Sequence, residues 1–344
     1  MKQKTTTIQD VARVAKVSTA TVSRALSNPD MLSDQARKAV LDAIRATGYR
    51  VNHAARNLRM QRAGAVLVLV PNLGKPFYSQ VLAGISSGFA DSDYAVLIAD
   101  TESRPLLPGE LADYFRDRRI DGVISLDGGL SPTALDDCDA AGMADRVVFL
   151  CEWVEDPRFP SVRADNAGGA RLAIRHLHAL GHCHIAHVTG PVGNVLTTAR
   201  REGMVAERTR LDLPVREEWI IRGDFSLESG DAAAEAILAM TERPTAVFCA
   251  ADMVAFGLIA GLQARGLSVP GDISVVGFDG IEMSEYYVPA LTTIWQDRIA
   301  MGRRAATLLR ASLDNGAPPQ PPGTIEQVGV ELLVRASTAA PPRG

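Results

Sequence analysis

From Ala65 onward, short apolar runs recur along the chain, each separated from the next by a stretch with helical spacing. AVLVLV, YAVLIAD, GVISL and VVFL form a first series, with helices expected over 77–90 and 107–119. A second series begins near Ser161 with SVRAD and continues through HIAHVTG, EWIIRGD, TAVFCA and DISVVGFD, again with helices between. Apolar runs this short, set between helices, are what parallel strands buried on both faces require. Two such series predict two doubly wound α/β units. A small molecule held between them would meet the carboxyl ends of the strands.

Before Ala65 the pattern is purely helical. In TIQDVARVAKVSTATVSRAL, Thr7 followed three residues later by Asp10 has the form of a capping box. Val11, Ala12 and Ala15 then place one apolar face on a short helix. Lys16 and Val17 interrupt it, and Ser18 is positioned to cap a second helix through Val22 to Leu26. That helix offers Thr19, Ala20, Ser23 and Arg24 on the face opposite Val22, small or polar side chains of the kind a major groove admits. The alternative at this level is an ordinary N-terminal helix pair. After SNPDML, Ser33 begins a third helix to about Thr47, with Ala36, Val40, Leu41 and Ile44 expected inside, Gly48 as its stop and Tyr49 closing the core. The segment Asn52–Arg62 is short, polar and basic, with Leu58 its clear apolar projection; alone in water it reads as a linker.

The charge distribution raises the DNA reading. Residues 1–62 hold 12 Lys/Arg against 4 Asp and no Glu, a net +8, while the whole chain is at −4. A basic head on an acidic body is the asymmetry expected when one end meets phosphates. With 344 residues the chain is long enough for two or three domains. No apolar segment has the length of a signal sequence or a membrane span, which places the protein in the cytoplasm without a membrane partner. Cys138, Cys151, Cys183 and Cys249 are scattered and form no CxxC pair, as expected of buried, reduced thiols. Phosphate loops GxxxxGK[ST] and GxGxxG and the elbow GxSxG do not occur, so nucleotide hydrolysis and acyl transfer lack their signatures and no cofactor is expected. His182, Cys183, His184 and His187 lie close together, but alternation along a strand would turn His184 and His187 to opposite faces, against a metal site.

Taken together, the motifs resemble the LacI/GalR family of bacterial transcriptional regulators over essentially the whole chain. The head TIQDVARVAKVSTATVSRALSNPD, GYR, the hinge NHAARNL, DGVISL, RADNAGGARLAIRHLHALGH, ERPTAVFCAADMVAFG, VPGDISVVGFD and PALTTI all match in family order. Within the family, KVSTATVSRAL, RGDFSLESG and PTAVFC are most similar to the cytidine-repressor-like members. The resemblance implies an all-α helix-turn-helix headpiece plus α/β, the latter as two doubly wound parallel-sheet subdomains of periplasmic-binding-protein type. It divides the chain into a headpiece (1–50), a hinge (51–62), an N-subdomain (63–162 and 294–322), a C-subdomain (163–293 and 323–336) and a flexible tail (337–344). It further implies a homodimer, not an enzyme, that binds a palindromic double-stranded operator and answers to a small-molecule effector. The end VRASTAAPPRG carries no leucine heptads of the tetrameric members.

Residue by residue, Thr19, Ala20 and Arg24 match base-reading positions, and Ser18, Thr21, Ser23 and Asn28 are placed for phosphates. Asn52 and Ala55 fall on the hinge, and Leu58 matches the leucine wedged into the central minor groove. Lys16 departs from a turn position where glycine is frequent. For the effector, Asp279 and Arg200 match polar anchors suited to vicinal hydroxyls, and Phe225 matches an aromatic wall. Phe77, Tyr78, Glu152 and Trp153 follow strand ends and are expected to close the other wall; Asp252 lines the cleft or caps its own helix. The alternative for Phe77, Tyr78 and Trp153 is packing in a core or hinge, and for Asp279 with Arg200 a salt bridge bracing the cleft. The likeness favours a nucleoside effector, though a sugar would use the same anchors. A transport solute-binding protein and an enzyme on the same scaffold are the rival classes. The first would need export and the second a candidate acid, base or nucleophile.

Overall fold

The computed structural model describes residues 6–27, 31–50, 57, 62–313 and 320–342. The chain divides into two compact units, Met1–Arg62 and Ala63–Gly344. The first holds α1 (Ile8–Ala15), α2 (Thr19–Ser27) and α3 (Asp34–Thr47). The expected capping box opens α1: the Thr7 backbone N–H and hydroxyl both donate to Asp10 Oδ2, at 3.0 and 2.8 Å. Lys16 closes it in the left-handed region at φ 54° and ψ 39°, its N–H donating to the carbonyls of Ala12 and Arg13. That conformation costs a non-glycine residue about 1–2 kcal/mol, offset in part by the helix-end carbonyls it satisfies. Val11, Ala12, Val22, Val40 and Ala43 form the core, with Ile8, Ile44 and Tyr49 packed against it. Leu41, expected inside, is 41% exposed and Ala43 is buried instead. Once Val40 faces inward, its neighbour lies about 100° around the helix and the residue three on returns to the core.

The second unit runs β1 (Ala65–Val70), α4 (Phe77–Phe89), β2 (Ala95–Asp100), α5 (Glu110–Arg116), β3 (Gly122–Ser125), α6 (Pro132–Ala140), β4 (Val147–Leu150) and β5 (Ser161–Ala164). It continues with α7 (Asn166–Ala179), β6 (Ile185–Val188), α8 (Val195–Arg210), β7 (Ile220–Ile221), α9 (Leu227–Ala239), β8 (Ala246–Cys249) and α10 (Asp252–Ala264). Then come β9 (Ser274–Asp279), α11 (Met283–Tyr286), β10 (Thr292–Gln296), α12 (Arg298–Leu313), β11 (Ile325–Val328) and β12 (Val330–Leu333). Among the described residues the strands form two six-stranded sheets, in the orders β11-β5-β4-β3-β1-β2 and β12-β10-β9-β8-β6-β7. Only β12 runs antiparallel to its neighbour, β10.

The sheets define two lobes whose limits differ from the expected ones. Ser161–Ala164 pairs with β4 and β11, so SVRAD completes the first sheet and does not begin the second. Thr292 to Trp295 of β10 pair with β9, and Gln296 pairs with Val330 of β12, all in the second sheet, whereas Ile325–Val328 joins the first. An apolar run shows that a strand is buried but not which sheet buries it; that is decided by pairing partners far away in sequence. The chain thus passes between lobes at Asp165, Asp297 and Gly329, the single residues that separate elements of the two lobes. The Asp165 N–H donates to the Val328 carbonyl at 2.9 Å, tying two of these passages together. Helix α12 belongs to the first lobe, where it lies against α4 so closely that a Cβ on Gly84 would stand 2.3 Å from the Ile299 carbonyl oxygen.

Residues 337–339 of the segment expected to be a flexible tail are pinned across the starts of β9 and β10 and against His182. The buried Ser337 hydroxyl accepts from Thr292 N at 2.8 Å and donates to the Val275 carbonyl at 2.6 Å. The Ala339 N–H donates to Ser274 Oγ at 3.0 Å, and its carbonyl accepts from His182 Nε2 at 2.8 Å. Polar groups left over at the amino ends of buried strands need partners, and these residues supply them. Cys138, Cys151 and Cys249 are buried as expected; Cys183 is exposed.

Candidate functional site

Two surfaces bear on function. In the head, the Ser18 hydroxyl accepts from Thr21 N at 3.1 Å and shares a 2.9 Å hydrogen bond with the Thr21 hydroxyl, fixing the start of α2. Val22 is buried in the core, which turns Thr19, Ala20, Ser23 and Arg24 outward, all of them exposed. Positions 19, 20, 23 and 24 make one continuous helical stripe. Asn28, Asn52, Ala55 and Leu58 lie outside the described residues.

The second surface is a cavity of about 260 Å³ between the lobes of the second unit. Every strand that feeds it does so from its carboxyl end, as open parallel sheets require. From the second lobe, Arg200 on α8 is buried and held on three sides. Its Nε donates to Asn166 Oδ1 at 2.9 Å, Nη1 donates to the Ala250 carbonyl, and Nη2 stands 3.5 Å from Asp279 Oδ1. Its guanidinium stacks 3.8 Å from the centroid of the Phe278 ring. Asp279 ends β9 with φ 112°, a conformation that a non-glycine residue adopts only under constraint. Its Oδ1 accepts from Gln296 Nε2 at 2.9 Å. Burial pushes its carboxyl up to about 6, against the pull of Arg200 and Arg298. The pair therefore both braces the wall and faces the cavity. At 3.5 Å the bridge is long for a charge-assisted bond, leaving donor and acceptor capacity for a ligand.

Phe225 stands beside them, its backbone at φ 66°. Arg200 is 5.8 Å and Lys75 of the first lobe 5.9 Å from its ring centroid. Across the cavity, Phe77 and Tyr78 at the start of α4 pack edge to face, with centroids 5.3 Å apart. Glu152 joins the lobes: its Oε1 accepts from Asn194 Nδ2 at 2.9 Å and its Oε2 from Gly128 N at 3.2 Å. Burial raises the Glu152 carboxyl, and burial with the nearby Glu152 charge raises the Tyr78 hydroxyl. The Asn194 Oδ1 meanwhile caps α8 through Leu196 N and Thr197 N. One amide thus connects closure of the lobes to the helix that carries Arg200.

Two expected cleft residues are elsewhere. Trp153 turns into the outer core of the first lobe beside Phe149 and Phe159, its indole N–H donating to Glu155 Oε1 at 2.6 Å and the Arg163 guanidinium 4.4 Å from its ring. Asp252 is fully buried and does not line the cavity. It does not cap α10 either, whose N-cap is Ala251. Its Oδ2 accepts from Ile281 N at 2.8 Å and its Oδ1 from Thr293 Oγ1 at 2.5 Å, which ties the loop after β9 and the start of β10 to α10. Conversely, Lys75, Asp127 and Asn194 are polar members of the wall that sequence reasoning passed over. Their signal was positional: each lies in the loop that leaves the carboxyl end of a strand. His187 is buried in β6 with Nδ1 donating to the Phe248 carbonyl at 2.9 Å, while His184 stands partly exposed outside the strand.

Residues 7–52 match bacterial regulatory proteins of the lacI family, and residues 174–338 match the periplasmic binding protein-like domain. The HTH-type transcriptional repressor CytR of Escherichia coli (strain K12) is 36% identical over 342 residues, 99% of each chain. The lac repressor dimer, solved with operator and the anti-inducer ONPF, superimposes with a TM-score of 0.80 and 29% identity, covering 98% of this chain and 100% of that one. A LacI family transcriptional regulator from Enterococcus faecium with bound ribose gives a TM-score of 0.70 and 29% identity over 80% of this chain and 99% of its own.

Proposed function

Because the chain belongs to the lacI family of bacterial regulatory proteins, we propose that α2 reads its operator and that its interlobe cavity takes a nucleoside effector. The protein is a DNA-binding transcriptional regulator of the repressor type, not an enzyme, and works as a dimer on operator DNA under control of a small molecule. In this reading it acts in the cytoplasm and is nucleoid-associated while bound to DNA. Thr19, Ala20 and Arg24 specify bases, Arg24 through the two acceptors of a guanine edge and Ala20 by apolar contact. Ser18, Thr21, Ser23 and Asn28 position the head on phosphates, with Asn52 and Ala55 following along the hinge. Leu58 wedges into the central minor groove. Replacing Leu58 with Ala should weaken operator binding, read in a gel shift, while leaving effector binding intact; unchanged operator affinity would exclude the wedge.

For the cavity the carrying observation is one juxtaposition: the Arg200–Asp279 pair beside the Phe225 ring. A fork of donors and a carboxylate recognise vicinal hydroxyls, and an aromatic face beside them accepts a planar base. Phe77, Tyr78 and Glu152 form the opposite wall in the same cavity. A pentose alone is the second reading, favoured by the ribose-bound relative. A thermal-shift screen of ribonucleosides against D-ribose separates the two, since a ligand bound only by the native state raises its melting temperature. Ribose stabilising as strongly as every nucleoside would exclude the base contact.

A pH prediction follows from Asp279. Its carboxyl, held up near 6 by burial, accepts hydroxyl hydrogens best when ionised. Effector affinity should therefore be level at neutral pH and above, and fall as pH drops through about 6. Calorimetric titration across that range checks it; affinity that rises on acidification would contradict the role given to the carboxylate.

A further inference from the structure

Arg298 is a fully buried cation that the cavity wall does not contain. It begins α12, a first-lobe helix, yet it reaches into the second lobe. Its Nη2 donates to the Gly280 carbonyl at 3.0 Å, one residue beyond Asp279, and stands 3.6 Å from Glu282 Oε1. The same Glu282 oxygen accepts a hydrogen bond from Gln80 on α4, so one second-lobe carboxylate holds two first-lobe groups. The Arg298 guanidinium also lies 5.9 Å from the centroid of the Phe77 ring, and Phe77 lines the cavity. Its Nε and Nη1 are buried without a hydrogen-bond partner among the described residues. A buried cation so incompletely paired is costly, and a packing role alone would be served as well by an apolar side chain.

We propose that Arg298 is a positioning residue of the cleft: through the Gly280 carbonyl and Glu282 it holds Asp279 in its constrained conformation and fastens that wall to the first lobe when the cleft closes. This rests on reading the cavity as the effector site. The charge of Arg298 acts with that of Arg200 to keep the Asp279 carboxyl ionised against burial. The other groups facing that carboxyl are Lys75 from the loop after β1, Tyr78 on α4, Cys151 after β4 and Asp252 on α10. None of these replaces the Arg298 bridge to Gly280.

The test uses the full chain carrying Arg298→Gln, Arg298→Lys or Glu282→Gln. Each is titrated with adenosine, cytidine, guanosine, uridine and D-ribose as a function of pH, and ligand-free hydrogen exchange is followed in residues 77–81 and 279–284. Arg298→Gln should bind its best ligand about tenfold more weakly or worse. The midpoint of its acid limb should rise by about one pH unit, because a cation that favoured the ionised carboxyl is gone. Arg298→Lys should restore the midpoint without restoring affinity. Glu282→Gln should leave the midpoint in place and speed exchange in both segments. Wild-type affinity, midpoint and exchange in Arg298→Gln would overturn the proposal. If wild type binds none of the probes, the nucleoside reading fails by itself. The exchange data still decide on Arg298, since unchanged exchange in both segments would refute the fastening role. If Arg298→Gln does not fold, Arg298→Lys and Glu282→Gln carry the test, and unaltered exchange in both would again overturn it.

Discussion

Asp279→Asn should abolish the effector response while leaving operator binding by the ligand-free protein intact. The change is isosteric, so no cavity opens. What it removes is the charge opposite Arg200 and one of two acceptor sites in a crowded network. Gln296 Nε2 donates to Asp279 Oδ1 at 2.9 Å, and Arg200 Nη2 stands 3.5 Å from the same atom. An asparagine can offer its single oxygen there, but its amide hydrogens then face the position where ligand hydroxyls need an acceptor. Truncating one partner of a buried, hydrogen-bonded charge pair costs about 2–5 kcal/mol, which is roughly thirtyfold or more in effector affinity. In a gel shift, operator affinity should be the same with and without effector. The fall in affinity through about pH 6 should also vanish, because the titrating group is gone. A variant that retained a normal effector response, or a normal acid limb, would show that the assignment of this wall is wrong.

Local chemistry made the head legible. The Thr7–Asp10 box, the Ser18 and Ser33 caps and the Gly48 stop are short-range devices, and the structure forms each of them. Strands β1 to β9 were visible as apolar runs, β2 among them although it is largely exposed, whereas β10 to β12, with polar residues in TTIWQ, IEQV and VELL, belong to neither series. The assignment of strands to lobes was not visible. Short segments such as SVRA and IEQV carry no mark of the sheet they join, and only pairing between residues as distant as Ser161 and Ile325 places them.

The cleft shows the same division. Arg200, Phe225 and Asp279 fall in recognisable motifs, and all three line the cavity. Asp252 sits in an equally recognisable motif and Trp153 follows a strand end, but both turn away from the cavity. Trp153 goes into the first-lobe core and Asp252 behind the wall to Ile281 and Thr293. Lys75, Asp127 and Asn194 carry no motif. Arg298 is hidden more deeply, since nothing in QDRIAMG indicates that its cation is buried or that it reaches across a lobe boundary. Residues whose role is to bridge elements are set by the tertiary arrangement, and a linear pattern holds little trace of them.

Arg24→Ala should reduce specific operator affinity while sparing non-specific DNA binding. Arg24 is on the exposed stripe of α2, in its last turn, whose direction is fixed by the buried Val22. A bidentate arginine contact to a guanine edge contributes about 1–3 kcal/mol of discrimination. A dimer presents two heads to two half-sites, so the loss doubles to roughly 2–6 kcal/mol, or between about thirtyfold and several ten-thousandfold. Non-specific affinity depends on the number of phosphates neutralised, and a residue that reads bases leaves that number almost unchanged. The slope of log affinity against log salt should therefore stay nearly constant, and the preference at one base pair in each half-site should disappear. Arg24→Lys is the discriminating control: it keeps the charge but not the planar fork, so it should restore little of the specificity. If Arg24 instead only neutralises phosphate, Lys would rescue it, Ala would weaken specific and non-specific DNA alike, and the salt slope would fall by about two, one for each head.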